Sequence, residues 1–389
     1  MHPPGPVFSS KLPAVGVSIF SVMTKLANEH GAINLSQGFP DFACDPELVE
    51  AVARAMREGH NQYAPMPGVQ VLRDAISAKV RHCYGATVDP ATEVQVTCGA
   101  TEALYSTLTA FVRTGDEVVL FEPCYDSYVP AIRLSGGTPV FVALRYPHYR
   151  VDWDDVKRAI TAKTRAILVN TPHNPTGMMW TPEDMRQLAA LVDGTDILVI
   201  GDEVYEHIIF DGRRHESLLR YPELWSRSVV ISSFGKTFHV TGWKVGYAIA
   251  PAAILAEVQR VHQFVTFTAH SASQVAFAEF LTRDPGAQRL AAFYQAKRDL
   301  FLQLCEGSGF MPLGCSGTYF QLMDYSAITS SRDTPDTEVA MRLINEQGVA
   351  AIPCSAFNYQ DAGGPVLRFC FAKKDETLRA AAARLQQRR

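Results

Sequence analysis

Lys236 lies in SSFGKTFHVTGWKVG (232–246), among hydroxyl residues, glycines and a second lysine, Lys244. An amine so placed can serve as nucleophile or proton carrier once burial or neighbouring cations lower its pKa. Asp202 closes the apolar run DILVIG and is followed by Glu203, Val204 and Tyr205. A carboxylate there is nearly buried and needs a cation or hydrogen bonds. For a lone aspartate, a helix cap is the ordinary role. Asn174 stands in TPHNPTG (171–177), where Pro175 holds it extended and two prolines make a rigid display of its amide. Gly99-Ala100-Thr101 opens a helix after VQVTC. Free N–H groups at such a start suit a phosphate, and an N-cap by Thr101 is the structural alternative.

All four stretches follow β-rich runs: EVQVTC (93–98), RAILVN (165–170), DILVIGD (196–202) and SVVISS (228–233), with EVVLF (117–121) among them. Helical stretches such as TEALYSTLTAFVR and TPEDMRQLAALV alternate with these runs. Continuous apolar strands between helices predict an α/β plan, a sheet covered on both faces. Ligands of such sheets bind beyond the carboxyl ends of the strands. Toward the C-terminus the texture changes. A helical pattern at about 287–306 precedes GTYFQLMDY, a helix near 336–347, strands VAAIP and PVLRFCF, and a closing helix from about 375. The expected organisation is a segment 1–44 packing with a small α+β unit 286–389, and a large unit 45–285 carrying the site. A helix is expected at 19–30.

Bulk properties narrow the function. The chain has 389 residues, 47% of them hydrophobic, and a net charge of −4, without a basic stripe for nucleic acid. No apolar run reaches the length of a membrane span. The start MHPPGPVFSSKLP is too proline-rich for a secretory signal. Eight cysteines without CxxC pairing read as free thiols of a reducing cytoplasm.

A phosphate cradle, an amide, a carboxylate with a tyrosine and a lysine, all at strand ends, fit one cofactor. Pyridoxal 5'-phosphate needs an amine for its aldehyde, an acid at its ring nitrogen, donors near its phenolic oxygen and a phosphate cup. The sequence resembles the class I aminotransferases of fold type I, which use this cofactor; the resemblance implies a large domain with a mostly parallel seven-stranded sheet between helices and a smaller α+β domain. NPTG (174–177), DEVY (202–205), SSFGKTFHVTGWKVG (232–246) and the arginine of LRFCF (367–371) carry the resemblance, which extends from NLSQGFPDF (34–42) to the final helix. Within the family it is similar to the kynurenine–glutamine transaminase group, and there to bacterial methionine aminotransferases, through NQYAPMPGVQ, YDSYVPAIRLSGG and AAIPCSAF.

The resemblance implies roles. Lys236 holds the cofactor and then carries a proton between substrate Cα and the cofactor. Asp202 pairs with the ring nitrogen, and Asn174 and Tyr205 donate to the phenolic oxygen. Gly99, Ala100, Thr101, Ser233 and Lys244 form the phosphate cup, with lysine at 244 where many relatives have arginine. Tyr125 stacks on the ring. Arg368, costly in an apolar strand unless paired, clamps the substrate α-carboxylate with its planar fork, opposite Gly38; a structural salt bridge is the alternative. Tyr63 matches a tyrosine that reaches the neighbouring subunit's site, which implies a homodimer. His239 and His270 are given no chemical role.

The expected activity is transamination of a neutral L-amino acid, methionine foremost, to a 2-oxo acid by ping-pong kinetics. Ile19, Phe20 and Tyr63 are expected near its side chain. A kynurenine or glutamine transaminase, or a cysteine-S-conjugate β-lyase on the same fold, is the alternative. A non-enzymatic regulator would need a DNA-binding extension, and none fits before residue 34.

Overall fold

The computed structural model describes residues 8–329, 331, 333–360 and 363–387. The proline-rich opening, residues 1–7, lies outside them, and with it the first part of the expected 1–44 segment. Helix Ile19–Glu29 begins on Ser18, whose hydroxyl accepts from Ser21 N, and buries Met23 and Ala27 one turn apart. Strand β1 is Ile33–Asn34. Seven strands then form the main sheet: β2 (Val94–Thr97), β3 (Glu117–Glu122), β4 (Thr138–Ala143), β5 (Thr164–Asn170), β6 (Leu198–Asp202), β7 (Ser228–Ser233) and β8 (Gly246–Ile249). Their order is β2-β8-β7-β6-β5-β3-β4, with β8 antiparallel to both neighbours and the remaining pairs parallel. The mostly parallel seven-stranded α/β sheet expected from the sequence is the one that forms.

The unbroken apolar strands follow from this position. Val119, Ile167 and Val199 face one apolar cluster, while Val118, Leu120, Leu168, Leu198 and Ile200 face another. Alternate residues of each strand therefore enter opposite cores, and both faces need apolar side chains.

A third cluster draws on the two ends of the chain: Met23, Ala27 and Leu35 pack with Tyr294, Phe301, Phe369 and Leu378. Here β9 (Met311–Pro312), β10 (Phe320–Asp324), β11 (Val349–Ala350), β12 (Ile352–Pro353) and β13 (Val366–Cys370) complete the strands. β12-β13-β10-β9 is an antiparallel sheet, and β1 pairs in parallel with β11. VAAIP is thus not one strand. Val349 and Ala350 pair with β1, and across Ala351 the chain enters the other sheet at Ile352. The helix expected at 336–347 is α-helical over Asp336–Arg342 and widens to a π turn, Leu343–Gln347, ended by Gly348 at φ 65°. All eight cysteines are free. Among the described residues no helix is long and apolar enough to cross a membrane.

Candidate active site

The carboxyl ends of β5, β6 and β7 open on one cavity of about 320 Å³. Twelve of the thirteen sequence-derived site residues line it: Gly38, Gly99, Ala100, Thr101, Tyr125, Asn174, Asp202, Tyr205, Ser233, Lys236, Lys244 and Arg368. Tyr63 does not. It is 83% exposed and stands edge-on to Phe267, ring centroids 5.6 Å apart. Ile19 is also outside the lining, while Phe20 is part of it.

Asp202 is the last residue of β6 and only 5% exposed. Tyr128 donates its hydroxyl to Oδ2 at 2.6 Å, and Val204 N donates to Oδ1 at 3.4 Å. Burial pushes the carboxyl up to about 6, against the hydrogen bonds and Lys236, which favour the charged form. Asn170, at the end of β5, donates from Nδ2 to Asp202 O at 2.9 Å and accepts from Asn174 N at 2.8 Å. The amide loop is thereby tied to the strand that carries the carboxylate. Its Asn174–Pro175 peptide is cis.

Lys236 sits in a one-turn helix, Phe234–Thr237. Its Nζ donates to Tyr319 Oη at 2.9 Å and to Gly38 O at 3.5 Å. Burial lowers the amine to about 8, and the cations of Lys244 and Arg368 act in the same direction.

Helix Ala100–Phe111 has Gly99 at φ 80° as its N-cap, not Thr101, and among the described residues no side chain makes a capping hydrogen bond there. A Cβ on Gly99 would stand 3.2 Å from Lys244 Nζ. A Cβ on Gly246 would meet Ala100 N at 2.9 Å and Ser232 O at 2.7 Å. β8 therefore packs directly under the helix start because residue 246 has no side chain. Uncapped N–H groups at a positive dipole end beside an amine make an anion cup.

Arg368, on β13, is 1% exposed. Its Nη1 donates to Asn174 Oδ1 at 2.8 Å and its Nη2 to Ser36 O at 3.0 Å, while Nε has no partner among the described residues. The guanidinium lies 3.9 Å from the centre of the Phe320 ring. No structural salt bridge forms: among the described residues none of the ion pairs involves Arg368. A buried cation held only by neutral groups is short of an anion.

The sequence reading missed Tyr128, Asn170, Tyr319 and Phe320. Tyr128 lies one turn beyond Tyr125, and that spacing is the only signal it offered. Behind the site, Lys79 and Glu206 form a buried ion pair. The hydroxyls of Tyr84, Ser232 and Tyr247 converge on the same carboxylate. The two histidines set aside on sequence are structural. His239 packs against Phe42, Phe293 and Tyr294, and burial lowers it to about 4. His270 caps helix Ser271–Arg283 through Nδ1.

The profile of the family described as Aminotransferase class I and II matches residues 30–385. Methionine aminotransferase of Escherichia coli (strain K12) is 49% identical over 379 residues, covering 97% of each chain. Kynurenine–oxoglutarate transaminase of Dictyostelium discoideum is 34% identical, covering 96% of this chain and 94% of that one. Among solved structures, Escherichia coli YbdL, reported with a methionine aminotransferase function, superposes with a TM-score of 0.95. It shares 48% identity, with 98% of this chain and 100% of that chain covered.

Proposed function

The chain belongs to the class I and II aminotransferases, and from that premise we propose that its cavity holds pyridoxal 5'-phosphate and transfers the amino group of a neutral L-amino acid, methionine foremost, to a 2-oxo acid. The observation that carries this reading is the placement of three groups on one cavity: the Asp202 carboxylate, the Lys236 amine and the Arg368 guanidinium, which lacks a carboxylate partner. The 49% identity to a methionine aminotransferase supports the choice of donor.

The residues fit the cofactor. The uncapped N–H groups at Gly99–Thr101, with Ser233 and Lys244, would hold the phosphate. Asp202 would hold a proton at the ring nitrogen, Asn174 and Tyr205 would donate to the phenolic oxygen, and Tyr125 would cover a ring face. When bound, the cofactor supplies an aldehyde that takes the amino group and a ring that accepts the electron pair left at Cα. Arg368 binds the substrate carboxylate by its fork, and Gly38 borders the same region. Lys236, whose amine burial lowers to about 8, would act as the base that takes the Cα proton of a bound amino acid and holds it for return. Phe20, Phe39 and Phe320 give the cavity apolar surface where a substrate side chain would lie.

Donor selectivity follows from what the cavity lacks. Among the described residues Arg368 is the single arginine lining the cavity, so this chain offers a side-chain carboxylate no second guanidinium there, while aromatic rings suit a thioether. The Dictyostelium relative supports kynurenine as the second donor to test. Tyr63, exposed and away from its own cavity, supports a homodimer in which it serves the partner subunit's site. The apolar cluster shared by residues 23–35 and the C-terminal part supports a division into 1–44 with 286–389, and 45–285. Eight free cysteines support a reducing cytoplasm.

The test is a single-turnover screen of methionine, phenylalanine, kynurenine, glutamine and aspartate, followed by cofactor absorbance. Methionine should react fastest and aspartate slowest. Aspartate equal to methionine would overturn the neutral-side-chain reading. Steady-state double-reciprocal plots should be parallel, and intersecting lines would exclude the two-half-reaction scheme.

A further inference from the structure

The two oxygens of Asp202 have different surroundings. Oδ2 accepts from the Tyr128 hydroxyl at 2.6 Å, and among the described residues Oδ1 has only the Val204 N–H at 3.4 Å. Tyr128 is 2% exposed and sits at the first position of helix Tyr128–Leu134, with its ring edge-on to Tyr125 at 5.6 Å. The other charged and titratable groups that act on the carboxylate are Lys236 from the one-turn helix, Glu203 next in the chain, Tyr125 from the loop after β3 and Tyr205 from the loop after β6. None of these four donates a hydrogen bond to it, so Tyr128 is its one side-chain donor among the described residues.

We propose that Tyr128 is a positioning residue for transamination: its hydroxyl occupies Oδ2, leaves Oδ1 for the cofactor's ring nitrogen, and keeps the carboxylate ionised so that this nitrogen retains its proton. The inference rests on the cofactor reading above. Its physical basis is the conflict at Asp202, where burial favours the neutral acid and the phenol O–H favours the anion. Without the hydroxyl the carboxylate becomes the stronger base of the pair. The shared proton then moves from ring nitrogen to carboxyl oxygen, and the ring loses its capacity to accept electrons from Cα.

Tyr128→Phe removes one oxygen and leaves the ring in place. Wild type and variant are loaded with pyridoxal 5'-phosphate labelled with ¹⁵N in the ring, and the nitrogen shift is read by NMR. The variant should move toward neutral pyridine, with kcat down about tenfold and KM changed by less than about threefold, the scale of one lost hydrogen bond to a charged group. A site-specific 3-fluorotyrosine at 128 has nearly the same shape and a more acidic hydroxyl. It should move the shift the opposite way, so the proposal stays testable if Tyr128→Phe folds poorly. A Phe variant that takes up cofactor with an unmoved shift overturns the inference and leaves the function standing. A wild type that takes up no cofactor overturns both.

Discussion

Arg368 Nη1 donates to Asn174 Oδ1 at 2.8 Å, joining an inner strand of the four-stranded sheet to the loop that leaves β5. Its other terminal nitrogen is held by Ser36 O. Three segments distant in sequence thus fix one guanidinium before any substrate arrives. Such preorganisation lowers the ordering cost of binding. Arg368→Lys keeps the charge and loses the fork. The expected loss is about 3 kcal/mol, roughly 100-fold in kcat/KM and mostly in KM, from two charge-assisted bonds. Steady-state kinetics with methionine checks it, and a change under threefold would remove Arg368 from carboxylate binding.

Lys236→Ala should abolish turnover and the absorbance of the lysine-bound cofactor. The wild-type amine carries a further prediction. Burial lowers it to about 8, so a larger fraction is unprotonated near neutrality than for an ordinary lysine. Capture of added cofactor by the cofactor-free chain should speed up with rising pH through a midpoint near 8. Stopped-flow absorbance measures this. A midpoint above about 10, the ordinary lysine range, would mean that the site does not depress the amine.

Asp202 should make the cofactor-free chain less stable at neutral pH. Its folded pKa of about 6 lies above the ordinary 3.8. Between those values the folded site holds a proton that the unfolded chain has released, so stability falls as pH rises through the window. Asp202→Asn removes the effect. Relative to wild type, the cofactor-free variant should gain up to about 3 kcal/mol between pH 4 and 7 while losing activity. Urea unfolding at the two pH values decides it, and a pH-independent gap would contradict the assignment.

The Lys79–Glu206 pair predicts a loss of stability. Lys79→Met leaves a buried carboxylate without its cation, at a cost of about 3–5 kcal/mol. Lys79→Met with Glu206→Leu should recover much of it, because the apolar pair strands no charge. Denaturant midpoints of the three proteins test this, and equal losses in single and double variants would argue against coupling.

Much of the site was legible because each reactive residue follows a strand buried on both faces, and such strands announce themselves as unbroken apolar runs. Asp202 after DILVIG and Lys236 after SVVISS are examples. Less visible were features set by pairing at a distance. Tyr128 and Asp202 lie 74 positions apart, and nothing in YDSYV points to the bond. The switch of sheets at Ala351 depends on which strands lie alongside, β1 on one side and β13 on the other. The one-turn helix around Lys236 was hidden by the polar, glycine-containing composition that its surroundings require.

The pairing of β1 with β11 has a consequence for the order of assembly. Ile33 and Asn34 are synthesised long before their partners Val349 and Ala350. Leu35 likewise waits for Cys370, whose N–H it accepts. Strand pairs so distant in sequence form late, since loop closure must precede their reward. On a ribosome the stretch bearing Gly38 thus stays undocked until residues 349–370 have emerged, whereas Asp202 and Lys236 leave the tunnel within a short interval of each other. A nascent chain thus presents the strand ends that bear Asp202 and Lys236 before the segment around Gly38 can dock beside them.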